Sequence, residues 1–226
     1  VGLVPLQSVD AATKEVAHIA QLGLKGVAFR PERYNGMALH DEALAPFWNA
    51  VAEQGLFAAV HGSFGSHMPS FANSRYGKTF FTHMICHPFE QMAGCLDIVA
   101  GGVLQRHPDL RVAFLESGLG WLEYWLGRMD EHFEVMGAMV PWLTRPPSEL
   151  FKEQCFISIE ADEAHRLPKI QTLGLEKCVF WGADYPHYDC TYPGAVKELE
   201  ENLAPIDEDL ANMIRHGNAA RFMGLG

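Results

Sequence analysis

Short apolar runs alternate with longer amphipathic ones along the whole chain. Six runs are apolar nearly throughout: "GLVPL" from Gly2, "GVAFR" from Gly26, "FAAVH" from Phe57, "RVAFLE" from Arg111, "CFISIE" from Cys155 and "CVFWGAD" from Cys178. Each is short enough for a strand, and apolarity on both faces predicts strands covered on both sides. The runs between them repeat at the helical period. "DAATKEVAHIAQLG" has Asp10 as its expected N-cap and Gly23 as its stop, "HDEALAPFWNAVAEQG" ends at Gly55, and "FEQMAGCLDIVAGGVLQRHPDL" is interrupted at Pro108. "GWLEYWLGRMDEHFEVM" carries a broad aromatic stripe, "LPKIQTLG" follows the fifth strand, and two further helical stretches follow the sixth.

Strand–helix alternation without a Gly-rich nucleotide turn predicts a TIM-type (β/α) barrel rather than a doubly wound sheet. The expected domain is a single barrel over residues 1–226. A full barrel of this type has about eight strands, so the six units are expected to be the C-terminal three-quarters of one, with two strands before Val1. The longest irregular segment, "HGSFGSHMPSFANSRYGKTFFTH", is of a length that in compact domains often carries function. Pro88 disfavours helix at His87, so the next helix is expected to begin at Pro88, with His83 and His87 in the junction before it.

Composition narrows the picture. The 226 residues are 48% hydrophobic and 20% charged, with a net charge of −11. That is an ordinary globular composition with no basic footprint for nucleic acid. The five cysteines are odd in number and form no C-x-x-C, which argues against a disulfide framework or a thiolate zinc site. A reducing, cytoplasmic setting fits them. No apolar run reaches the roughly 18 residues of a membrane span, and no signal peptide is recognisable.

In a barrel, chemistry gathers at the C-terminal ends of strands. Here those ends read Arg30, His61-Gly62, Glu116-Ser117-Gly118, Glu160 and Asp184-Tyr185-Pro186-His187. Together they suit a divalent metal with acid/base partners. Each has a plainer reading. His61 can make a structural hydrogen bond, Glu116 can cap the helix after "ESGLGW", Asp184 can anchor a turn, and Arg30 can pair with one of the acids. Glu160 and Asp162 are read as first-turn helix acids. His187, past the proline, overhangs the mouth as a substrate or acid/base group. His67, Arg75 and Tyr76 belong to the long segment, and Phe64, Phe71, Tyr76, Phe80, Phe81, Trp181 and Tyr185 would give the mouth an aromatic lining.

The segments "VGLVPLQSVDAATKEVAHIAQLGLKGVAFRP", "FAAVHGS", "GGVLQRHPDLRVAFLESGLGWLEYWLGRMDEHF", "VFWGADYPHYD" and "MIRHGNAARFMGL" resemble, in this order, the amidohydrolase superfamily in its amidohydrolase-2 branch, which contains aminocarboxymuconate-semialdehyde decarboxylase. The resemblance implies a (β/α)8 barrel around one divalent metal, zinc or manganese, with His61 and Asp184 as ligands. Read from their positions, Asp184, Glu116 and His187 are the catalytic candidates, and Arg30, His83, His87 and Tyr185 are the candidates for substrate contact. Two departures stand out. Glu116 in "LESG" takes the place of the family's catalytic His, and nothing here matches the family's H-x-H on its first strand. The expected activity is hydrolysis of a small carboxylate or cyclic substrate through metal-activated water. The alternatives are nonoxidative decarboxylation and a metal-free binding protein. Small molecules are the expected partners, with no nucleic acid or membrane, and a homodimer fits the aromatic helix.

Overall fold

The computed structural model describes residues 1–62, 75–77 and 79–225. Among these residues, six parallel strands form one sheet in strictly sequential order: β1 (Gly2–Leu3), β2 (Gly26–Phe29), β3 (Phe57–His61), β4 (Val112–Leu115), β5 (Cys155–Ile159) and β6 (Val179–Trp181). Each strand lies inside one of the six apolar runs. Sequential order distinguishes a barrel wall from a doubly wound sheet, whose strand order reverses at a switch point. The fold is a (β/α) barrel with six β/α units, and β1 and β6 are the edges of the described sheet.

Among the described residues, ten α-helices follow the strands: α1 (Val9–Gln21), α2 (Ala45–Glu53), α3 (Thr79–Cys95), α4 (Val103–Arg106), α5 (Leu122–Met136), α6 (Pro147–Gln154), α7 (Leu167–Leu173), α8 (Ala195–Leu203), α9 (Glu208–Asn212) and α10 (Asn218–Met223). Two boundaries differ from expectation. The cap of α1 is Ser8, whose hydroxyl accepts from Ala11 N–H, and Asp10 sits in the first turn instead. The run from Phe89 to Leu110 is not one helix: α3 ends in a π turn over Leu96–Ala100, and Gly102, at a φ of +81°, restarts the chain as α4.

The larger correction concerns Pro88, which lies inside α3 rather than at its start. An interior proline forfeits a helical hydrogen bond and costs roughly 3 kcal/mol. Burial on the same helix offsets it. Cys86 and Gln91 are almost fully enclosed, and Gln91 Nε2 donates to both Val60 O (2.7 Å) and Leu115 O (2.9 Å). Those two carbonyls lie near the C-terminal ends of β3 and β4, so α3 is fastened where the functional side chains begin.

Period-2 alternation sorts the strand residues into two layers. Val27, Ala58, Val60, Val112, Phe114, Ile157 and Val179 pack outward against the helices. Phe57, Ala59, Ala113 and Phe156 point inward and form a smaller cluster with Phe222 of α10. Phe222 plugs the N-terminal end of the wall, with ring centroids 4.3 Å from Phe57 and 5.1 Å from Phe156. Asn218 secures the plug by donating to Glu176 O and Val179 O. One end of the inner face is therefore apolar and closed. The opposite end carries the polar groups.

Candidate metal centre

Alternation predicts which strand-end residues face inward. On β3 it selects Phe57, Ala59 and His61; on β5 it selects Phe156, Ser158 and Glu160. On β4 it selects Ala113 and Leu115, so Glu116 should point out towards the helices. It does not, because Glu116 adopts a φ of +52°. That left-handed conformation is uncommon for a non-glycine residue and costs of order 1 kcal/mol or more. It turns the chain at the end of β4 and sends the carboxylate inward. Ser158 Oγ supports the turn by accepting Glu116 N–H at 3.0 Å. Asp184, beyond β6, has a φ of +53°. Two of the three non-glycine residues with positive φ among the described residues thus stand at this mouth.

Glu116 is the hub. Its Oε2 lies 2.7 Å from His61 Nε2, and its Oε1 lies 3.5 Å from His87 Nε2 and 3.7 Å from His187 Nδ1. His187 Nδ1 is also 2.6 Å from Asp184 Oδ2, and His83 Nε2 is 3.5 Å from Asp189 Oδ2. His61, Gly62, His83, His87, Glu116 and His187 line, with Tyr188 and Asp189, a cavity of about 360 Å³. His61 and Glu116 also open onto a second space of about 260 Å³ along the inner face, reached by Ser158, Glu160 and Asp184. His61 and Asp184, the two ligands implied by resemblance, thus meet around Glu116. The compact donor groups among the described residues are His83, His87 and Glu116, and Glu116, Asp184 and His187.

Four of these groups respond to the crowding. The hydrogen bond to Glu116 raises the pKa of His61 against its burial. Burial pushes the Glu116 carboxyl up, but the bond from His61 and the charges of His87, His61 and His187 outweigh it and hold the group below its usual value. Burial lowers the pKa of His87, with Glu116 opposing. The hydrogen bond to Asp184 raises that of His187.

The donor set fits a divalent cation. His61 Nδ1–H donates to Gly62 O, so a neutral His61 presents the Nε2 lone pair to the Glu116 carboxylate. Two lone pairs at that distance attract only through a shared proton or a shared cation. Both ring nitrogens of His87 are buried without a hydrogen-bond donor or acceptor among the described residues. Neutral imidazole with carboxylate oxygen is a ligand set for zinc or manganese.

The remaining expected site residues fall in different places. Arg30 follows β2 and is ion-paired with Glu32, whose side chain is almost fully buried; its backbone N–H and C=O both bond the Tyr34 hydroxyl. Tyr185 is exposed and packs on Tyr192 with ring centroids 4.7 Å apart. Arg75 and Tyr76 line a neighbouring cavity with Ile85 and Phe89, and Tyr76 stacks on Phe81. Phe80 is exposed, and Trp181 Nε1 donates to Arg215 O. Phe64, His67 and Phe71 lie outside the described residues.

Glu160 is a correction. It is not a first-turn helix acid: it follows β5 and lines the inner space beside Asp184, and burial followed by the charges of Asp162 and Asp184 pushes its carboxyl up to about 7. The expected helix-end role belongs to Glu163, which accepts from Leu119 N–H and Glu160 N–H and pairs with Arg166. Because Glu163 serves the turn before α5, Glu116 is left for the mouth. The inward parity of position 160 on β5 was the available signal for Glu160. Tyr188, 5.7 Å from His83 between ring centroids, had none.

A family model described as "Amidohydrolase" matches residues 1–225. The chain belongs to the amidohydrolase family. Within it, the chain is 26% identical over 228 residues to the 2-amino-3-carboxymuconate-6-semialdehyde decarboxylase of Dictyostelium discoideum, covering 99% of this chain and 60% of that protein. It superposes on the 5-carboxyvanillate decarboxylase of Sphingomonas paucimobilis with a TM-score of 0.77 and 27% identity, covering 99% of this chain and 66% of that one. An amidohydrolase from Mycobacterium avium subsp. paratuberculosis K-10 superposes with a TM-score of 0.85 at 21% identity, a likeness of fold, covering 98% of this chain and 57% of that one. The chain thus spans about three-fifths of the length of the curated relative it matches. No helix among the described residues is long and apolar enough to cross a membrane.

Proposed function

We propose that this chain acts in a metal-dependent carbon–carbon lyase that removes CO2 without oxidation from a small unsaturated or aromatic carboxylate. The observation that carries the reading is the grouping of His61, Asp184 and His187 around Glu116 in the barrel mouth. Two relatives above 25% identity, both named as decarboxylases, favour this reaction over the hydrolysis expected first.

His61, Glu116 and Asp184 would hold the divalent ion, zinc or manganese. When bound, the ion neutralises negative charge on substrate oxygens and fixes their orientation. The chain's own groups supply the rest. The reaction breaks one C–C bond: the carboxylate leaves as CO2, the bonding pair stays on the substrate carbon, and that carbon takes one proton. His187, held at Nδ1 by Asp184, keeps the proton at the edge of the mouth and delivers it. Glu160, whose carboxyl burial raises, lines the inner space beside Asp184, where an anionic substrate would approach. Arg30, at the end of β2, is the guanidinium expected to meet a second substrate oxyanion. His83, His87 and Tyr185 complete the substrate contacts proposed for the mouth.

Hydrolysis is the second reading, favoured by Glu116 itself. Glu116 stands where the family has a histidine, and its ionised carboxylate can accept a hydrogen bond from an attacking water and orient it. A panel of small aromatic and alkenyl carboxylates, including the substrates named for the two relatives, separates the readings when incubated with the full-length protein. CO2 release with solvent hydrogen in the product and no ¹⁸O from water is the expected result. Incorporation of ¹⁸O without CO2 would replace the lyase reading with hydrolysis.

A further inference from the structure

His83 and His87 are four residues apart on α3, so their rings stand on one face of the helix, with centroids 5.1 Å apart. They approach Glu116 through a different oxygen from His61: Oε1 is 3.5 Å from His87 Nε2 and 3.7 Å from His187 Nδ1, whereas Oε2 is the one 2.7 Å from His61. One donor atom from each of His83, His87 and Glu116 lies within 4.8 Å of the others. Two ligands at adjacent vertices around an ion with bonds of about 2.1 Å are themselves about 3–3.5 Å apart. The three groups need only a small closure to share one.

His87 points to a ligand independently of that spacing. The residue is 7% exposed, and neither ring nitrogen has a hydrogen-bond partner among the described residues. Burying a polar group without a partner costs about 1–3 kcal/mol. The surroundings are nevertheless shaped to keep the ring there: a Cβ at position 62 would lie 3.2 Å from His87 Nδ1 and 3.3 Å from its Cα. Glycine after the strand-end histidine gives the second imidazole its room.

We infer that His83 and His87 of α3, with Oε1 of Glu116, form a second divalent-cation site, and that the Glu116 carboxylate bridges it to the ion held by His61 and Asp184. The chemical class is a borderline divalent ion such as zinc, manganese or cobalt, which two imidazoles and one carboxylate suit. A carboxylate-bridged pair stands about 3.5–4 Å apart. This arrangement accounts for Glu116 at the end of β4: an anion with two oxygens can serve two ions, whereas one imidazole nitrogen cannot. The inference rests on the site and not on which reaction the site performs.

The test is metal stoichiometry in the full-length protein, stripped with a chelator and reloaded with Mn²⁺. Two equivalents per chain are expected, with an electron paramagnetic resonance spectrum of spin-coupled pairs in place of the isolated six-line signal. H83Q and H87Q should each leave one equivalent and restore the isolated signal. H61A should also leave one, held by α3. If His87 proves necessary for folding, H83Q decides alone, since His83 is the less buried of the two. A single equivalent that survives H83Q and H87Q, or two equivalents without coupling, would overturn the inference. Failure of the decarboxylase assay would leave these readouts unchanged, so the two proposals fail separately.

Discussion

Ser158 Oγ, facing inward from the middle of β5, accepts the backbone N–H of Glu116 at the end of β4, 3.0 Å away. One hydroxyl thereby holds the residue that breaks strand alternation and sends its carboxylate into the mouth. Ser158→Ala removes the acceptor and leaves a strained turn with an unpaired N–H. Stability should fall by about 1–2 kcal/mol. Activity should fall further, by about tenfold or more in kcat/KM, because a misplacement of 1 Å at the reacting centre is amplified in rate. Thermal melts and steady-state kinetics on the same preparation check both. An unchanged kcat/KM with a lowered melting temperature would show that the hydroxyl stabilises the barrel without positioning Glu116.

Gln91 is the second positioning group. Its Nε2 bridges Val60 O and Leu115 O, the carbonyls one residue before His61 and Glu116. Gln91→Leu keeps the volume and removes both donors from these two carbonyls. The two lost hydrogen bonds are together worth about 1–3 kcal/mol, or roughly 2–12 °C in melting temperature for a chain of this size. Gln91→Glu should be worse near neutral pH, since it sets a carboxylate oxygen against two carbonyl oxygens, and it should recover partly on acidification. Melting curves at pH 5 and pH 8 distinguish the two variants.

These relationships mark what the sequence makes legible. The strands are read correctly because runs such as "FAAVH" and "CFISIE" are apolar on both faces and end in polar groups, and a parallel barrel wall has this pattern. His61 and Glu160 follow from parity alone. Glu116 is a strand-end acid in sequence, but parity points it outward, and only the positive φ makes it the hub. The α3 histidines are misplaced by a local rule: Pro88 argues for a helix start, and the tertiary bonds of Gln91 override it. Glu163 and Glu160 illustrate the same limit. Two acids three residues apart exchange roles because one reaches Leu119 N–H, a contact 44 residues away in sequence.

Glu160 makes stability depend on pH with a definite sign. Its carboxyl is raised from 4.5 to about 7, so the folded state binds this proton more tightly than the unfolded state. The favourable contribution is complete below about pH 4.5 and is lost as pH rises through about 7. In metal-stripped protein, Glu160→Gln should therefore be more stable than the parent at pH 8, by about 1 kcal/mol after allowance for solvent screening. That corresponds to roughly 2–4 °C. At pH 4.5 the advantage should vanish. A constant difference across this range would mean that Glu160 titrates normally and is better solvated than its neighbours indicate.

The apolar plug at the far end of the wall offers a control that should change stability but not chemistry. Phe222 packs on Phe57, Phe156 and Phe180, and it sits at the N-terminal ends of the strands, away from the mouth. Phe222→Ala should cost about 3–5 kcal/mol. At a temperature where the variant remains folded, KM and metal stoichiometry should be unchanged.

Metal removal is the sharpest test of the mouth. The proposed ligands His61, Glu116 and Asp184 crowd like groups together: His61 Nε2 faces a carboxylate, and the Glu116 and Asp184 carboxylates lie close to each other. Chelation of the full-length protein should abolish turnover and lower the melting temperature. Free metal at 100 times its Kd stabilises a folded state by about 2.7 kcal/mol, so the expected drop is roughly 5–10 °C. Adding Zn²⁺ or Mn²⁺ should restore both properties together. His61→Ala and Asp184→Ala should each abolish activity and blunt the metal-dependent rise in melting temperature, whereas Tyr185→Phe should preserve that rise. Full activity after chelation, with inactive His61→Ala and Asp184→Ala proteins that melt normally, would remove the metal from the proposal and leave proton transfer by Glu116 and His187 as the chemistry of the site.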